Sequence, residues 1–109
     1  MILGQARVWT VGTGTAMVRV PDDWAAANGL HLGDDIYVLG ALDGTVRFFA
    51  KPVEFAKPVR FRMRDRGYPV MTIPATIARP RGMDKGCTIE FESDGDVLVA
   101  RKVVEEDGE

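Results

Sequence analysis

An internal duplication with a period of 53 residues constrains the fold of this chain more than any other feature of its sequence. When residue i is superposed on residue i+53 without a gap, turn-forming residues fall on turn-forming residues and apolar residues on apolar ones. The superposed pairs include Gly14 and Gly67, Pro21 and Pro74, Ala25 and Ala78, Gly29 and Gly82, Gly33 and Gly86, Ile36 and Ile89, and Val20 and Ile73. Because glycine and proline determine where a chain turns, the two copies are predicted to share one backbone geometry.

The length of the chain indicates that both copies belong to one domain. It has 109 residues, so each copy has about fifty, which is marginal for an independent hydrophobic core. We therefore predict a single barrel domain over residues 1–109, built from repeat 1 (6–50) and repeat 2 (59–103). Two prolines make the linker 51–58 semi-rigid. The acidic tail 104–109 is expected to be disordered, because its run of acids has no apolar side chain to bury.

Within each copy the pattern predicts the order strand, strand, short helix, strand, strand. In repeat 1 the predicted strands are 6–11, 16–20, 35–39 and 45–50, and the helix runs from Pro21 to Gly29. In repeat 2 the predicted strands are 59–63, 70–73, 88–92 and 97–102, with a helix from Ala75 that Pro80 should shorten. The sequence thus predicts a mainly β domain made of two ββαββ units.

Composition places the chain among ordinary globular proteins. Hydrophobic residues make up 46% and charged residues 28%, and no apolar run approaches the roughly 20 residues needed to cross a bilayer. The N-terminal stretch MILGQARVW lacks the basic start and long apolar run of a secretory signal. The single cysteine, Cys87, excludes an internal disulfide and an all-cysteine metal site. We expect a cytoplasmic protein without a membrane partner.

No catalytic arrangement is evident in the sequence, so we expect a protein that is not an enzyme and uses no metal or cofactor. His31 lies in a polar loop without a second histidine or a cysteine as co-ligand, and we expect it at the surface. Cys87 precedes an apolar strand and is expected to be a small buried residue rather than a nucleophile. The segment 12–15 (GTGT) lacks the lysine and spacing of a phosphate-binding loop and predicts a hairpin turn.

The net charge of −2 conceals a strong asymmetry along the chain. Residues 1–50 carry three basic and five acidic side chains, whereas residues 57–85 carry eight basic and two acidic ones. Within the basic segment four arginines occupy alternate positions, so a regular strand would project all of them from one face. These residues are Arg60, Arg62, Arg64 and Arg66.

Two interpretations of this arginine row are open. In the first, the row follows the phosphates of a nucleic acid, for which the planar guanidinium is well suited. In the second, it is a solvated sheet face whose arginines pair across strands with Glu90 and Glu92.

Two stretches of the sequence resemble the AbrB/MazE-like (SpoVT-AbrB) family. They are GTAMVRVPDDWAAANGLHLGDDIYV, followed by DGTVRFF, and MTIPATIARPRGMDKGCTIEF, followed by DGDVLVARK. The shared signals are a hairpin that ends in Val-Pro or Ile-Pro, a two-turn helix closed by glycine, and a Gly-Asp pair before the third strand. The resemblance implies a cradle-loop barrel of the swapped-hairpin type, with both halves supplied here by one chain.

The double-psi β-barrel is the alternative architecture, because it is also built from two related halves with a Gly-Asp turn after a short helix. The swapped-hairpin interpretation is preferred because each copy supplies four strands, whereas a double-psi half needs three. In such barrels Gly33 permits a sharp turn and the Asp34 carboxylate accepts backbone N–H groups from a neighbouring loop. Gly86 is followed by Cys87, so the second turn must be held in another way.

Single-unit members of this family bind DNA as transcription regulators or act as antitoxins, and the resemblance implies contacts near the first hairpin and the helix. The candidate DNA-binding residues are Arg19, Arg60, Arg62, Arg64, Arg66, Arg79, Arg81 and Lys85. We predict a transcriptional regulator that binds duplex DNA mainly through repeat 2, as a monomeric pseudo-dimer or a homodimer. The alternatives are an antitoxin-like or adaptor module that binds a toxin or another protein, and a purely structural barrel.

Overall fold

The computed structural model describes residues 1–12, 15–63 and 67–104. These residues form nine β-strands: β1 (Ile2–Val11), β2 (Thr15–Arg19), β3 (Asp35–Gly40), β4 (Val46–Phe49), β5 (Lys57–Arg60), β6 (Arg62–Met63), β7 (Pro69–Ile73), β8 (Cys87–Asp94) and β9 (Val97–Lys102). Helix α1 (Asp22–Ala27) follows β2, and helix α2 (Ala75–Ala78) follows β7 and continues into a 3₁₀ turn over Arg79–Arg81. In this part of the chain no helix is long and apolar enough to cross a membrane.

The strands form one antiparallel, nearly closed sheet with the order β5-β3-β4-β9-β8-β1-β2-β7-β6, which confirms the prediction of a mainly β, barrel-like fold. Only Phe61 separates β5 from β6, so these two edge strands are successive segments of one stretch of chain. The first segment pairs with β3 and the second pairs with β7. The same stretch therefore lies at both edges of the sheet and brings them together.

Strand pairing follows the sequence duplication. β1 pairs with β8 just as β5 pairs with β3, so the first strand of each copy lies against the third strand of the other copy. The hairpins β1–β2 and β6–β7 correspond to each other, as do β3–β4 and β8–β9. β2 pairs with β7 and β4 with β9, which joins equivalent strands of the two copies. Neither copy could complete this sheet alone.

The first strand of each copy changes its partner at a defined residue. In repeat 2 this residue is Phe61, whose N–H donates to the Asp34 carbonyl and whose carbonyl accepts from the Gly33 N–H, both at 2.8 Å. In repeat 1 the equivalent residue is Val8. Residues of β1 up to Val8, which lies opposite Cys87, pair with β8, and residues from Trp9 onward pair with β2. Each first strand thus belongs to two parts of the barrel wall.

Two of the predicted strands begin at least two residues earlier than predicted. β1 begins at Ile2 rather than at residue 6, because its first residues pair with β8 across a register shift between Ile2 and Gly4. The φ angle of 120° at Gly4 is one that glycine adopts without strain. β5 begins at Lys57, inside the predicted linker, since Lys57–Arg60 pairs along β3. Both extensions lengthen the ladders that join the two copies.

One hydrophobic core takes side chains from both copies. Its largest fully buried members are Phe48, Ile36, Met71, Ile73, Met83, Ile89 and Leu98. Phe48 and Phe91, one from each copy, meet edge to face with ring centroids 6.3 Å apart. Burial of a side chain of this size contributes about 1.5–3 kcal/mol relative to its exposed state, so much of this stabilisation exists only when the copies are together.

Each helical segment contacts the hairpin turn of the other copy. α1 begins after Pro21, and the Trp24 indole N–H donates to the Asp96 carbonyl in the β8–β9 turn at 3.0 Å. α2 has only four residues, and Pro80 lies in the 3₁₀ turn that follows, as expected for a residue that cannot donate a backbone hydrogen bond. Arg81, the last residue of that turn, donates to carbonyls at both ends of the β3–β4 turn.

Candidate nucleic-acid interface

The outer surface of strands β1, β2, β7 and β6 carries two of the predicted arginines. Arg62 lies opposite Val70, and Val70 lies opposite Arg19 on the next strand. Residues directly opposite each other in an antiparallel pair share one face. Val70 is 1% exposed but is not part of the core cluster, so this row lies on the outside of the barrel wall. We call the surface formed by Trp9, Met17, Arg19, Arg62, Tyr68, Val70 and Thr72 the hairpin face.

Aromatic side chains orient Arg19 on the hairpin face. The guanidinium carbon lies 5.1 Å from the centroid of the Tyr68 ring, and Trp9 meets Tyr68 edge to face with centroids 6.4 Å apart. A cation over an aromatic ring contributes about 0.5–1 kcal/mol at an exposed site. Arg19 Nη2 is also 3.5 Å from Asp22 Oδ2, a long ion pair that leaves 54% of the arginine side chain exposed. The guanidinium is oriented and remains accessible to a phosphate.

Arg62 extends across the hairpin face toward β2. Its Nη2 lies 3.9 Å from the sulfur of Met17, which is a weak acceptor. Met17 is 7% exposed although it lies outside the core cluster, which is consistent with coverage by the apolar stem of Arg62. None of the ion pairs in the described part of the chain involves Arg62. Its charge is therefore available to an external anion.

The predicted row of four arginines on one regular strand is wrong for its first two members. The break at Phe61 separates them, so that Arg60 pairs along β3 and Arg62 pairs along β7. Arg60 lies opposite Asp35, with its Nε 3.9 Å from Asp35 Oδ1. Arg64 and Arg66 lie outside the described residues.

The two glutamates expected to neutralise that row have a different neighbour. Glu92 Oε1 accepts a hydrogen bond from Arg101 Nη2 at 2.8 Å, between β8 and β9. Glu90 lies directly opposite Arg101 in the same ladder. The expected pairing of these glutamates with Arg60 and Arg62 is therefore wrong, because β9 rather than β5 or β6 lies beside them.

Arg81 holds the barrel together instead of facing an external ligand. Its guanidinium donates to three backbone carbonyls: Nε to Thr45 at 3.2 Å, Nη1 to Ile77 at 3.0 Å and Nη2 to Ala41 at 2.8 Å. A Cβ atom placed on Gly40 would lie 2.6 Å from Nη2, so the glycine makes room for this side chain. These bonds give Arg81 a structural role, and its contact with DNA stays a prediction.

Arg79 and Lys85 are exposed and line a groove that leads to the beginning of β8. No described residue of the hairpin face lines this groove. The described basic residues predicted as one DNA-binding set thus occupy four places. Arg19 and Arg62 lie on the hairpin face, Arg79 and Lys85 line the groove, Arg60 lies beside Asp35, and Arg81 contacts the β3–β4 turn.

The Gly33–Asp34 turn is held largely within its own loop. Gly33 has a φ angle of 97°, which favours glycine. The Asp34 carboxylate accepts the His31 N–H at 2.7 Å, so its backbone donor comes from the same loop rather than from the neighbouring one that was expected. His31 itself is exposed. The link to the other copy uses the backbone of Gly33 and Asp34, through their bonds to Phe61.

In the second copy Gly86 is followed by Cys87, which enters the ladder directly by pairing with Val8. The thiol is partly buried and packs against the core cluster. Burial raises the pKa of the Cys87 thiol, and the nearby charges of Lys102 and Arg7 oppose that rise. The thiol is therefore protonated at neutral pH and is a poor nucleophile. Within the described residues no group of three or more His, Cys, Asp and Glu side chains is arranged to hold a metal ion.

Among the residues not predicted from the sequence are Trp9 and Tyr68 of the hairpin face, and Arg7 and Lys102 beside Cys87. Tyr68 alternates with Val70 and Thr72, and this spacing could have placed it on the same face as the arginines. Lys102 superposes on Phe49 in the duplication, and this change from an aromatic residue to a cation could have marked Lys102 as a candidate site residue.

Comparison with models of known families, with curated proteins and with solved structures finds no match to this chain. Its function is accordingly argued from the geometry and charge of its own surfaces.

Proposed function

We propose that the protein is a DNA-binding transcriptional regulator of the AbrB type, in which one chain supplies both halves of a swapped-hairpin barrel. The observation that carries this proposal is the row Arg62–Val70–Arg19, which places two accessible guanidinium groups on the hairpin face, on the strands either side of β7. Arginine binds phosphate oxygens in a bidentate manner, so the two side chains suit the backbone of a duplex. In the sequence Arg64 and Arg66 follow Arg62 and would add charge at the same hairpin.

The strand connections support the swapped-hairpin type over the double-psi alternative. The first strand of each copy pairs with the third strand of the other copy, so the hairpins of the two copies interleave. Each copy also contributes four strands to the sheet when β5 and β6 are counted as one interrupted strand. A double-psi half needs three.

The net charge of the protein predicts how its affinity for DNA depends on salt. The chain has a net charge of −2, so attraction to DNA must come from local charge, and affinity should fall steeply as salt is added. Each phosphate contact contributes about 0.9 to the slope of log K against log salt. Loss of Arg19 and Arg62 together should therefore reduce the slope by about 2.

Fluorescence anisotropy of a labelled duplex over a salt series tests the proposal. The Arg19→Gln, Arg62→Gln double variant should bind weakly at all salt concentrations, while Arg47→Gln, Arg101→Gln, which removes the same charge from β4 and β9, should bind nearly as wild type. Equal affinity of the hairpin-face variant and the wild type would refute this interface. Solution mass measured in parallel distinguishes a monomer from a homodimer.

A protein-interaction module, antitoxin-like or adaptor, is the second candidate function, and Phe55 favours it. This residue has a φ angle of 69° and is 86% exposed, so an aromatic ring is presented to solvent from a conformation that costs about 1–2 kcal/mol. Purification from cells with identification of bound proteins tests this candidate. A stoichiometric partner that is lost in the Phe55→Ser variant, together with no duplex binding at low salt, would favour it over DNA binding.

A further inference from the structure

A groove leading to the beginning of β8 gathers four positively charged side chains. Its lining includes Arg79, Gly82, Asp84, Lys85, Cys87 and Lys102, and its volume is about 700 Å³. Arg7 lies at its margin, since a Cβ atom placed on Gly86, another lining residue, would be 3.8 Å from Arg7 Nη2. Lys102 Nζ lies over Gly82, 2.8 Å from a Cβ atom placed there. We call this site the basic groove.

The charge of the basic groove is not neutralised by the described part of the chain. Ion pairs there involve Arg19, Arg47, Lys51, Arg60 and Arg101. The four cations of the groove take part in none of them. Asp84 is the single acidic residue among the described lining residues, so these five side chains carry a net charge of +3.

The equivalent region of repeat 1 indicates that the fold does not require this charge. Superposition at 53 residues places Ala26 on Arg79, Leu32 on Lys85 and Phe49 on Lys102. The backbone is nevertheless alike, because Gly29 and Gly82 end their helical segments with φ angles of 65° and 69°. These three equivalent positions thus carry cations in one copy and uncharged side chains in the other.

The two copies also differ around one arginine that both contain. Arg60 lies opposite Asp35 and forms a 3.9 Å ion pair with it. Its equivalent Arg7 lies opposite Thr88, which carries no charge and lines the basic groove. Replacement of a carboxylate by a hydroxyl leaves the arginine charge available and adds a hydrogen-bond donor for an anion.

We propose that the basic groove binds an anion with two or more phosphate groups, such as inorganic pyrophosphate or the phosphate chain of a nucleotide. Guanidinium and ammonium groups are the side chains suited to phosphate. One phosphate carries about −1.5 to −2 charges at neutral pH, less than the +3 of the groove, so a longer phosphate chain matches it better. The described lining has no aromatic side chain on which a base could stack. This site is separate from the hairpin face and does not depend on DNA binding.

Calorimetric titration of the full chain with pyrophosphate and tripolyphosphate at low ionic strength tests the proposal. We expect saturable binding with one site per chain, tighter for tripolyphosphate than for pyrophosphate and weakest for orthophosphate. Cys87 provides a second measurement because it is the single cysteine of the chain and lines the groove. At alkaline pH, where part of the thiol is ionised, bound pyrophosphate should slow its alkylation by iodoacetamide, a neutral reagent.

Matched variants locate the ligand. Lys85→Gln and Lys102→Gln should each weaken pyrophosphate binding by about tenfold or more, because each removes a charged donor. Thr88→Asp copies the Asp35 arrangement of repeat 1 and should weaken binding equally without removing any cation. Lys51→Gln and Arg101→Gln remove the same charge outside the groove and should leave affinity within about twofold.

Three outcomes would overturn the proposal: no saturable binding of either oligophosphate, equal losses in the groove and control variants, or alkylation of Cys87 that is indifferent to pyrophosphate. Duplex DNA that binds through Lys85 and Lys102 while pyrophosphate does not bind would also overturn it, because the groove would then serve a nucleic-acid backbone. Lys85 is exposed, so its substitution keeps the test decisive even if Thr88→Asp impairs folding.

Discussion

Replacement of Arg81 by alanine should destabilise the barrel substantially, although the residue is only partly buried. The change removes three hydrogen bonds from a charged donor. Two of them join the 3₁₀ turn of repeat 2 to the β3–β4 turn of repeat 1, and the third is to the Ile77 carbonyl in α2 of the same copy. Such bonds contribute about 1.5–3 kcal/mol each when buried, and partial exposure reduces this value. The Ala41 and Thr45 carbonyls also keep other donors, from Gly44 at 3.1 Å and Ala41 at 2.9 Å. We therefore expect a total loss of about 2–3 kcal/mol.

Urea unfolding followed by far-UV circular dichroism and tryptophan fluorescence measures this loss. A decrease of about 2–3 kcal/mol in the free energy of unfolding corresponds to a decrease of roughly 10–20 °C in Tm for a domain of this size. Arg79→Ala is the matched control, because this arginine is exposed and two residues away from Arg81, whose guanidinium makes the bonds to the β3–β4 turn. Its effect should stay within about 0.5 kcal/mol.

A substitution at Gly40 tests whether Arg81 stabilises the barrel through its contact with the β3–β4 turn. A side chain at this position would occupy the space of the Arg81 guanidinium, so Gly40→Ala should destabilise the wild type and cost much less in the Arg81→Ala background. We expect a coupling energy of about 1–2 kcal/mol between the two substitutions. Additive effects, or an Arg81→Ala variant as stable as Arg79→Ala, would refute the structural role. In that case a ligand contact would be the better explanation of Arg81.

Two further predictions concern single turns. The Thr45 hydroxyl and N–H donate to Asp43 Oδ1 at 2.6 and 3.0 Å and lower the pKa of the Asp43 carboxyl below its ordinary 3.8. The stability that these bonds provide is therefore present above pH 3.8 and is lost as pH falls through the lowered pKa. Asp43→Asn should flatten the pH dependence of urea unfolding in that range, and an unchanged profile would contradict the assignment. Phe55→Asn should raise the free energy of unfolding by about 0.5–1 kcal/mol, because asparagine tolerates positive φ, whereas a loss of stability would mean that the Phe55 ring is packed in solution.

The sequence predicted the order of elements because the turn residues are local signals. Gly29, Gly33 and Pro21 act through their own backbone preferences, and their counterparts at i+53 act in the same way. The break at Phe61 could not be predicted from such signals, since alternation continues through residues 59–63. It is imposed by the hydrogen bonds of Phe61 with Gly33, which donates, and Asp34, which accepts, and both are distant in the sequence.

The role of Arg81 was missed for a related reason. Its position beside other basic residues suggested a ligand contact, but two of its nitrogen atoms donate to carbonyls of the β3–β4 turn, 36 and 40 residues earlier in the chain. In repeat 1 the corresponding contact between helix and opposite turn is made by the indole of Trp24. The two copies therefore use different chemistry for one structural task, which a superposition of letters does not reveal.

The two copies share one backbone geometry but carry different side chains, and this difference affects how the hairpin face would bind DNA. The row Arg62–Val70–Arg19 has an equivalent row, Trp9–Met17–Thr72, related to it by the 53-residue shift. In a dimer of identical chains both rows would carry the same residues, and such a dimer selects a site with twofold symmetry. Here one row has two guanidinium groups and the other has an indole and a hydroxyl. A duplex held by this face would lie closer to one row, so the fused barrel should bind in a single orientation and need no palindromic site.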